Sequence, residues 1–323
     1  MNRSITFAAL GFAGLLVWFA PLPLHAQDYP VKPIRFVVGF PPGSSTDIIS
    51  RLLAQKLQER LGQPFVVEQK IGATGRIANE FVAKSPPDGY SMVLLTGGHP
   101  VSAAIMKLPY DPVKDFGMVS TVTAYPMVLS VAAASPIKSF DDLIARARAN
   151  PGKITYSSNG VGSAHHLLGE WINMDGGLNL FHVPFKGGAP ALTDLLGGRI
   201  DIMIETATFT APQVRAGRLR AIAVSSRSPA SQFPRVPPVA ERFPDIEFTS
   251  WLGVVVAPGT PASIVDRLNR EIRQVIELPD MRQRFVDLGG EPAASTPEEM
   301  RMRIEREIAR WRRVVEQRNI PQE

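Results

Sequence analysis

Cysteine is absent from this chain of 323 residues. The protein therefore has no disulfide, no thiol nucleophile, no thiolate ligand for an iron–sulfur cluster and no cysteine that carries a lipid. Several catalytic and nucleotide-binding signatures are missing too. There is no Gly-x-Ser-x-Gly elbow, no His-Glu-x-x-His pair and no phosphate-binding loop ending in Gly-Lys-Ser/Thr. These absences argue against the commoner hydrolases, zinc proteases and nucleotide-binding enzymes.

A strong charge imbalance is also absent. Lys and Arg number 35 and Asp and Glu number 30, which gives a net charge of +5, and the basic residues are scattered along the chain. This balance gives little support for a nucleic-acid partner and weakly favours a small anionic ligand. The hydrophobic fraction of 45% and the charged fraction of 20% are typical of a globular protein, and the length allows two domains.

The first 26 residues have the features of a secretory signal peptide. Arg3 precedes an uncharged apolar run, residues 5–20, which is shorter than the roughly 20 residues of a membrane span. Cleavage after Ala26 would give a mature chain that begins at Gln27. Export argues against a cytoplasmic enzyme that depends on nucleotides.

Short β-branched runs alternate with helical patterns along the mature chain. The alternation predicts an α/β fold with a mainly parallel sheet. Residues 225–240 contain four prolines and break the pattern, so we expect a crossing or linker there. Strands are predicted at 34–40, 65–68, 90–95, 127–131, 154–157, 199–204, 219–224 and 251–257, and helices follow residues 46, 75, 139, 163, 189, 261 and 296.

Four loops combine glycine with hydroxyl groups or a cation. They span residues 40–47, 96–99, 159–165 and 185–188, and two of them enter evident helices. Ligands of open α/β sheets lie beyond the carboxyl ends of the strands, and helix N-termini bind anions through free N–H groups and a positive partial charge. We therefore predict an anion site that is shared between these loops.

Several residues of these loops have alternative roles. One helix start has Ser163 as a possible cap, and another has either Ser45 or Thr46. Capping a helix does not exclude ligand binding at the same helix start. Lys186 is either a solvated lysine or a ligand contact. The catalytic alternative is a nucleophilic Ser163 with a neighbouring histidine as base, but no acid is evidently placed to orient the imidazole.

The histidines give a weaker signal. His165 and His166 are adjacent on a predicted helix and point about 100° apart, so they do not share a metal ion in the usual i, i+4 manner. His165 is the better candidate for the cleft because it lies in the first turn. His99 is a weaker candidate, and His182 is expected to be structural.

Motifs along the whole mature chain carry a family resemblance. They include Phe40-Pro-Pro-Gly-Ser-Ser-Thr-Asp47, Gly72-Ala-Thr-Gly-Arg76, Asn159-Gly-Val-Gly-Ser-Ala-His165, His182-Val-Pro-Phe-Lys-Gly187 and Trp251-Leu-Gly-Val-Val-Val-Ala-Pro258. In this order they resemble the extracytoplasmic solute receptors of tripartite tricarboxylate transporters, which are also called Bug receptors.

The resemblance implies a type II periplasmic-binding-protein fold, an α/β architecture of two lobes with a double chain crossing and a ligand cleft between them. Lobe 1 would comprise residues 27–125 and 226–323, and lobe 2 residues 126–225, with hinges near Tyr125-Pro126 and in 225–240. It also implies a periplasmic receptor without catalysis, metal or cofactor. The receptor would act as a monomer, bind no nucleic acid, and deliver an organic mono- or dicarboxylate to the membrane subunits of a transporter.

Carried over residue by residue, the family site falls on both lobes. Its positions here are Phe40, Ser44, Ser45, Thr46, Gly98 and His99 in lobe 1, and Gly162, Ser163, Ala164, His165, Lys186, Gly187, Glu205 and Thr208 in lobe 2. Three positions depart from the family pattern: Ser44 replaces a usual glycine, Phe185 a usual tyrosine, and Glu205 a frequent aspartate. These changes leave the identity of the ligand open.

Two functional alternatives remain beside transport. A receptor of the same fold could report its ligand to a sensor protein, and an exported hydrolase could use Ser163. The ligand itself could be aliphatic or aromatic, because Phe40, Phe185, Phe209 and Trp251 would suit either an aromatic pocket or a core.

Overall fold

The computed structural model describes residues 29–322, without the side chain of Ser45. The predicted signal peptide, residues 1–26, lies outside the described residues. Among the helices of residues 29–322, none combines the length and the apolar character that a membrane span requires.

A mixed sheet of ten strands runs through the described part of the chain, in the order β2-β1-β3-β9-β4-β7-β5-β6, and β8 and β10 pair with β4 as well. The strands are β1 (Ile34–Val38), β2 (Phe65–Gln69), β3 (Ser91–Thr96), β4 (Gly117–Ala132), β5 (Thr155–Ser158), β6 (Phe181–Pro184), β7 (Ile202–Thr206), β8 (Leu219–Val224), β9 (Thr249–Val256) and β10 (Glu291–Pro292). The helices are α1 (Ser45–Leu61), α2 (Arg76–Ala83), α3 (Gly98–Ile105), α4 (Phe140–Ala149), α5 (Ala164–Gly176), α6 (Gly188–Leu196), α7 (Ala207–Arg215), α8 (Ala262–Ile276), α9 (Pro279–Asp287) and α10 (Pro297–Gln317).

The α/β class is confirmed, but the expectation of a mainly parallel sheet holds only away from the centre. Strand β1 is parallel to β2 and β3, and β5 is parallel to β6 and β7. The central strands β4 and β9 are antiparallel to each other and to each of their other partner strands. Strand β4 extends across the centre of the sheet, whereas β9 pairs only with β3 and with the first part of β4.

Strand β4 changes its partners in the middle. Up to Pro126 it pairs with β9, where Pro126 lies opposite Thr249, and from Met127 onward it pairs with β7 and β8. The segment in which the chain crosses back lies beside this point of β4. There the Ser225 hydroxyl accepts the Met127 N–H at 2.8 Å and donates to the Phe248 carbonyl at 2.5 Å. We propose that this junction divides lobe 1, residues 27–125 and 226–323, from lobe 2, residues 126–225.

The C-terminal helix α10 joins both lobes. Its first half packs with Trp251 and lobe 1, whereas Trp311, Val314 and Val315 belong to the hydrophobic core of lobe 2. Arg318, directly after the helix, pairs with the buried Glu170 of α5 at 2.6 Å. The end of the chain, which the sequence assigns to lobe 1, therefore contacts lobe 2 extensively.

Several helix boundaries follow the local signals in the sequence. Gly62 ends α1 in the left-handed conformation with φ 70°, and Thr296 and Glu299 form a reciprocal capping box at the start of α10. Helices α3, α7 and α9 are not predicted by the sequence pattern, and residues 98–99, which read as part of a loop, are the first residues of α3.

Candidate ligand-binding cleft

A cavity of about 970 Å³ opens between the lobes. That volume is in the range of small-molecule sites. Its wall consists of strand ends and helix starts from both sides of the chain crossing. Lobe 1 supplies Phe40, Ser44, Thr46, Thr74, Arg76, Thr96, Gly98, Val101, Ser102, Ile105, Met106, Tyr125, Ser250, Trp251 and Leu252, and lobe 2 supplies Met127, Asn159, Val161, Gly162, Ser163, Ala164, His165, Gly188, Glu205, Thr206, Thr208 and Phe209.

Helix N-termini converge on this wall. Helices α1, α2 and α3 begin there from lobe 1, and α5, α6 and α7 begin there from lobe 2. The first N–H groups of a helix have no intrahelical acceptor, and the aligned peptide dipoles place a positive partial charge at this end. The four loops picked out in the sequence therefore all enter helices, and the cavity is suited to an anion.

Hydroxyl groups cap three of these helices at the wall. The hydroxyls of Ser44, Ser163 and Thr206 accept the N–H groups of Asp47, His166 and Phe209 at 3.2, 3.2 and 3.4 Å. Ser163 thus caps α5 and lines the cavity at once. The expectation that Ser45 or Thr46 caps α1 is wrong, because the helix begins at Ser45 and its cap is Ser44.

The loop before α5 is fixed by its own hydrogen bonds. The Ser163 hydroxyl donates to the Gly160 carbonyl at 2.8 Å, and the Gly162 N–H donates to His166 Nδ1 at 3.1 Å. The Gly162 N–H is therefore already bonded, which leaves the N–H groups of Ala164 and His165 in the first turn as donors without an intrahelical acceptor. These two groups are the best placed to bind a carboxylate.

A buried carboxylate lies beside them. Glu205 is 5% exposed, and its Oε1 lies 3.0 Å from His165 Nε2 and accepts the Thr206 N–H at 2.8 Å. Asn159 Nδ2 donates to Glu205 Oε2 at 2.9 Å. Burial alone would raise the pKa of Glu205, but the contact with His165 and the two other donors together hold this pKa below its usual value. Glu205 is therefore ionised, and its charge is met by partners within lobe 2.

Two stacked histidines, His166 and His182, also support the loop before α5. The rings of His166 and His182 stack with centroids 3.9 Å apart, and His182 Nε2 lies 2.6 Å from the Ser158 hydroxyl. Burial lowers the pKa of both, to about 4 for His182, so both are neutral at pH 7. A neutral His166 keeps the lone pair on Nδ1 that accepts the Gly162 N–H. His165 faces the cavity and His166 does not, as the 100° angle between them predicts.

Some predicted site residues lie elsewhere. His99 is 3% exposed, its ring packs against those of Tyr110 and Phe116, and its Nε2 lies 2.8 Å from the Pro112 carbonyl. The neighbouring Gly98 does line the cavity. Lys186 is exposed and does not line the cavity. Gly187 caps α6 next to the wall with φ 108°, and the side chain of Ser45 lies outside the described part of the chain.

The sequence does not predict Arg76, Tyr125 or the inner face of α3 as parts of the wall. Arg76 stands in a motif that carries the family resemblance, which is a signal that it lies near the site. For Tyr125 the sequence predicts a hinge and no contact with the cavity. Of the aromatic candidates, Phe40, Phe209 and Trp251 line the cavity and Phe185 does not.

Comparison with known proteins agrees with this geometry. Residues 49–320 match the model of the tripartite tricarboxylate transporter family receptor. The protein BugT of Bordetella pertussis is 37% identical over 319 residues, which cover 98% of both chains. The fold and the cleft are those of periplasmic solute-binding proteins, and the chain belongs to the receptor family of tripartite tricarboxylate transporters.

Solved structures of similar proteins include two with carboxylates. An R. palustris protein solved with adipate is 34% identical, with a TM-score of 0.76 over 91% of this chain and 99% of that one. MatC from Rhodopseudomonas palustris, solved with bound malate, is 29% identical, with a TM-score of 0.70 over 89% of this chain and 100% of that one.

Proposed function

We propose that the protein is a periplasmic receptor that encloses a small organic carboxylate between its lobes and delivers it, as a monomer, to the membrane subunits of a tripartite transporter. The family is one of solute receptors, and similar proteins hold adipate and malate. Both of these ligands are aliphatic dicarboxylates, which supports an aliphatic acid over an aromatic one.

One observation carries the proposal: the starts of α5, α6 and α7 face the same cavity from lobe 2. Free N–H groups at a helix start bind a carboxylate without a basic side chain, and they are aligned before the ligand arrives. In this arrangement the N–H groups of Ala164 and His165 hold one carboxylate, and the walls of lobe 1 close over it.

The surroundings of Ser163 do not support the hydrolase alternative. Its hydroxyl is bonded to the Gly160 carbonyl and the His166 N–H. His165 Nε2 contacts Glu205, and His166 Nδ1 accepts the Gly162 N–H. Within the described residues neither imidazole contacts the Ser163 hydroxyl, so the pairing of nucleophile and base that serine hydrolysis requires is not formed. The role of Ser163 is to hold the binding loop.

A pair of capping variants tests the proposal. Ser163→Ala removes the cap of α5 and the bond to Gly160. Ser139→Ala removes the cap of α4, in which the Ser139 hydroxyl accepts the Asp142 N–H at a distance of 3.1 Å. This second cap does not line the cavity. Each change should lower the free energy of unfolding by about 1 kcal/mol. Only Ser163→Ala should weaken the binding of adipate or malate, by about tenfold in a calorimetric titration. Equal affinities in the two variants would count against the site.

A further inference from the structure

Arg76 places a positive charge on the wall of the cavity in lobe 1. It is the first residue of α2, it is half-buried, and it lines the cavity together with Thr74 and Met106. The other charged or titratable side chains of the wall are His165 and Glu205, which contact each other at 3.0 Å, and Tyr125. Arg76 is therefore a permanently charged side chain on the described wall that does not contact the Glu205 carboxylate.

Among the described residues, the partners of the Arg76 guanidinium are neutral. Its Nε donates to the Ala73 carbonyl at 3.1 Å, and its Nη1 lies 2.8 Å from the Met106 sulfur. Within residues 29–322, no carboxylate oxygen lies within 4.0 Å of the Arg76 guanidinium nitrogens, the distance that defines an ion pair. Glu80, one turn along α2, pairs with Lys84 at 2.5 Å instead. Of the five guanidinium N–H groups, the two on Nη2 and one on Nη1 have no partner among the residues that the structure describes.

The loop before Arg76 is held in a costly conformation that fixes the position of the guanidinium. Four consecutive residues have positive φ: 140° at Gly72, 46° at Ala73, 56° at Thr74 and 89° at Gly75. For Ala73 and Thr74 this conformation costs on the order of 1–2 kcal/mol each. Gly75 packs against the Phe40 ring, where an added Cβ would lie 3.1 Å from Cε2. The strained Ala73 presents the carbonyl that binds Arg76 Nε, so the guanidinium is oriented by the loop.

A half-buried guanidinium with three free N–H groups is suited to a carboxylate. Its planar fork binds both oxygens of one carboxylate, and such charge-assisted pairs are about twice as strong as neutral hydrogen bonds. In the proposed function, the first carboxylate of the ligand binds at the start of α5 in lobe 2. A group bound by Arg76 in lobe 1 would therefore be a second one.

We propose that Arg76 binds a second carboxylate of the ligand across the cleft, so that the receptor selects dicarboxylates over monocarboxylates. This inference rests on the proposed function and narrows its ligand class. A ligand held by α5 at one end and by Arg76 at the other also joins the two lobes, which favours the closed state because only that state offers both contacts. A monocarboxylate makes the first contact and lacks the second.

The test compares a diacid with its monoacid counterparts. Wild type, Arg76→Gln and Arg76→Lys are titrated calorimetrically with adipate, the monoamide of adipate and hexanoate. Arg220→Gln is the matched control, because Arg220 is also half-buried, its guanidinium bonds to the carbonyls of Ala133 and Ile137 at 2.9 and 3.2 Å, and it does not line the cavity.

We expect wild type and Arg220→Gln to bind adipate at least tenfold more tightly than the two monoacids. Arg76→Gln should bind all three ligands with similar affinity, because adipate loses affinity and the monoacids keep theirs. Arg76→Lys should keep part of the preference, since lysine retains the charge and loses the planar fork.

Two results would overturn the inference while leaving the receptor function intact: a wild type that binds adipate and hexanoate equally, or an Arg76→Gln variant that weakens all three ligands by the same factor. A folded wild type that binds none of the three acids would contradict the proposed function itself, and the inference with it.

Discussion

At the scale of single residues, Tyr125 has an unsatisfied hydroxyl at the ligand cavity. The residue is 7% exposed and lines the cavity, and its hydroxyl oxygen has no hydrogen-bond partner among the described residues. Burial raises the pKa of this phenol above its usual value, so it keeps its proton and remains a donor. A buried donor without a partner destabilises a protein, unless a ligand accepts its hydrogen bond.

The Tyr125→Phe variant should therefore separate affinity from stability. Removal of the hydroxyl should weaken carboxylate binding about fivefold, the effect of one hydrogen bond of about 1 kcal/mol. The free energy of unfolding without ligand should stay the same or rise, because a buried unpaired polar group is lost. Calorimetric titration and urea denaturation measure the two quantities. Unchanged affinity in the variant would show that this hydroxyl does not contact the ligand.

Individual site residues were predictable from two kinds of signal. Ser163 and His165 were expected at the cleft from the residue types of their loop, Glu205 was expected there from the family resemblance, and all three line the cavity. The 3.0 Å contact between His165 and Glu205 was not predictable, because the two residues are 40 positions apart and meet only when α5 and β7 pack. The burial of the His99 side chain away from the cavity was not predictable either, because the neighbouring Gly98 does line the wall.

At the scale of elements, the regular patterns were predictable and the short helices were not. The helix predicted after residue 139 is α4 (Phe140–Ala149), and the predicted strand at 219–224 matches β8. Helix α3 begins Gly98-His99-Pro100, residues that have low helix propensity or are tolerated only in the first turn. Helix α7 contains Pro212. These helices form because their positions in the fold stabilise them more than their own sequences do.

The full length of β4 is also not predictable from the sequence pattern. The sequence predicts a strand at 127–131, whereas the strand extends from Gly117 to Ala132. Pro126 lacks an N–H group and therefore argues against a continuous central strand. It is tolerated because it lies where β4 exchanges β9 for β7 and β8, at the junction between the two lobes.

At the scale of the whole molecule, the lobes touch on either side of the cavity. The Thr208 hydroxyl of lobe 2 donates to the Leu288 carbonyl of lobe 1 at 2.6 Å. Gly162 of lobe 2 lies against Ile105 of lobe 1, where an added Cβ would be 2.6 Å from the Ile105 Cδ1. We expect these contacts to break when the cleft opens, and ligand binding to favour the state in which they are made.

Gly289→Ala should hinder this closure. A Cβ at Gly289 would lie 2.7 Å from the main-chain nitrogen of Thr208, which a side-chain movement does not relieve. The closed state should be destabilised, and carboxylate affinity should fall at least tenfold. Calorimetry measures the affinity, and small-angle scattering measures the loss of ligand-induced compaction.

Gly259→Ala is the control for this variant. Gly259 has φ 75° and Gly289 has φ 79°, so both substitutions impose the same left-handed strain of about 1–2 kcal/mol on alanine. The nearest atom to a Cβ at Gly259 is the Pro87 Cβ at 3.7 Å, within lobe 1. If the two alanine variants bound the ligand equally well, the contact at Gly289 would have no part in closure.

The family and the fold were predictable for the whole molecule because their motifs extend along the entire mature chain. The ligand was not predictable in the same way. Its selection depends on which side chains face one cavity from two lobes, and the position of Arg76 on that wall is a product of the strained loop at 72–75. Spacing along the sequence does not reveal such a position.

The most direct test of carboxylate capture is a calorimetric titration of the protein with adipate and malate, beside the uncharged diamides of both acids. If the helix starts bind carboxylates, at least one acid should bind and neither diamide should. At a ligand concentration one hundred times the dissociation constant, the acid should also raise the free energy of unfolding by about 2.7 kcal/mol. Equal binding of an acid and its diamide, or no binding of either acid to the folded protein, would contradict the account.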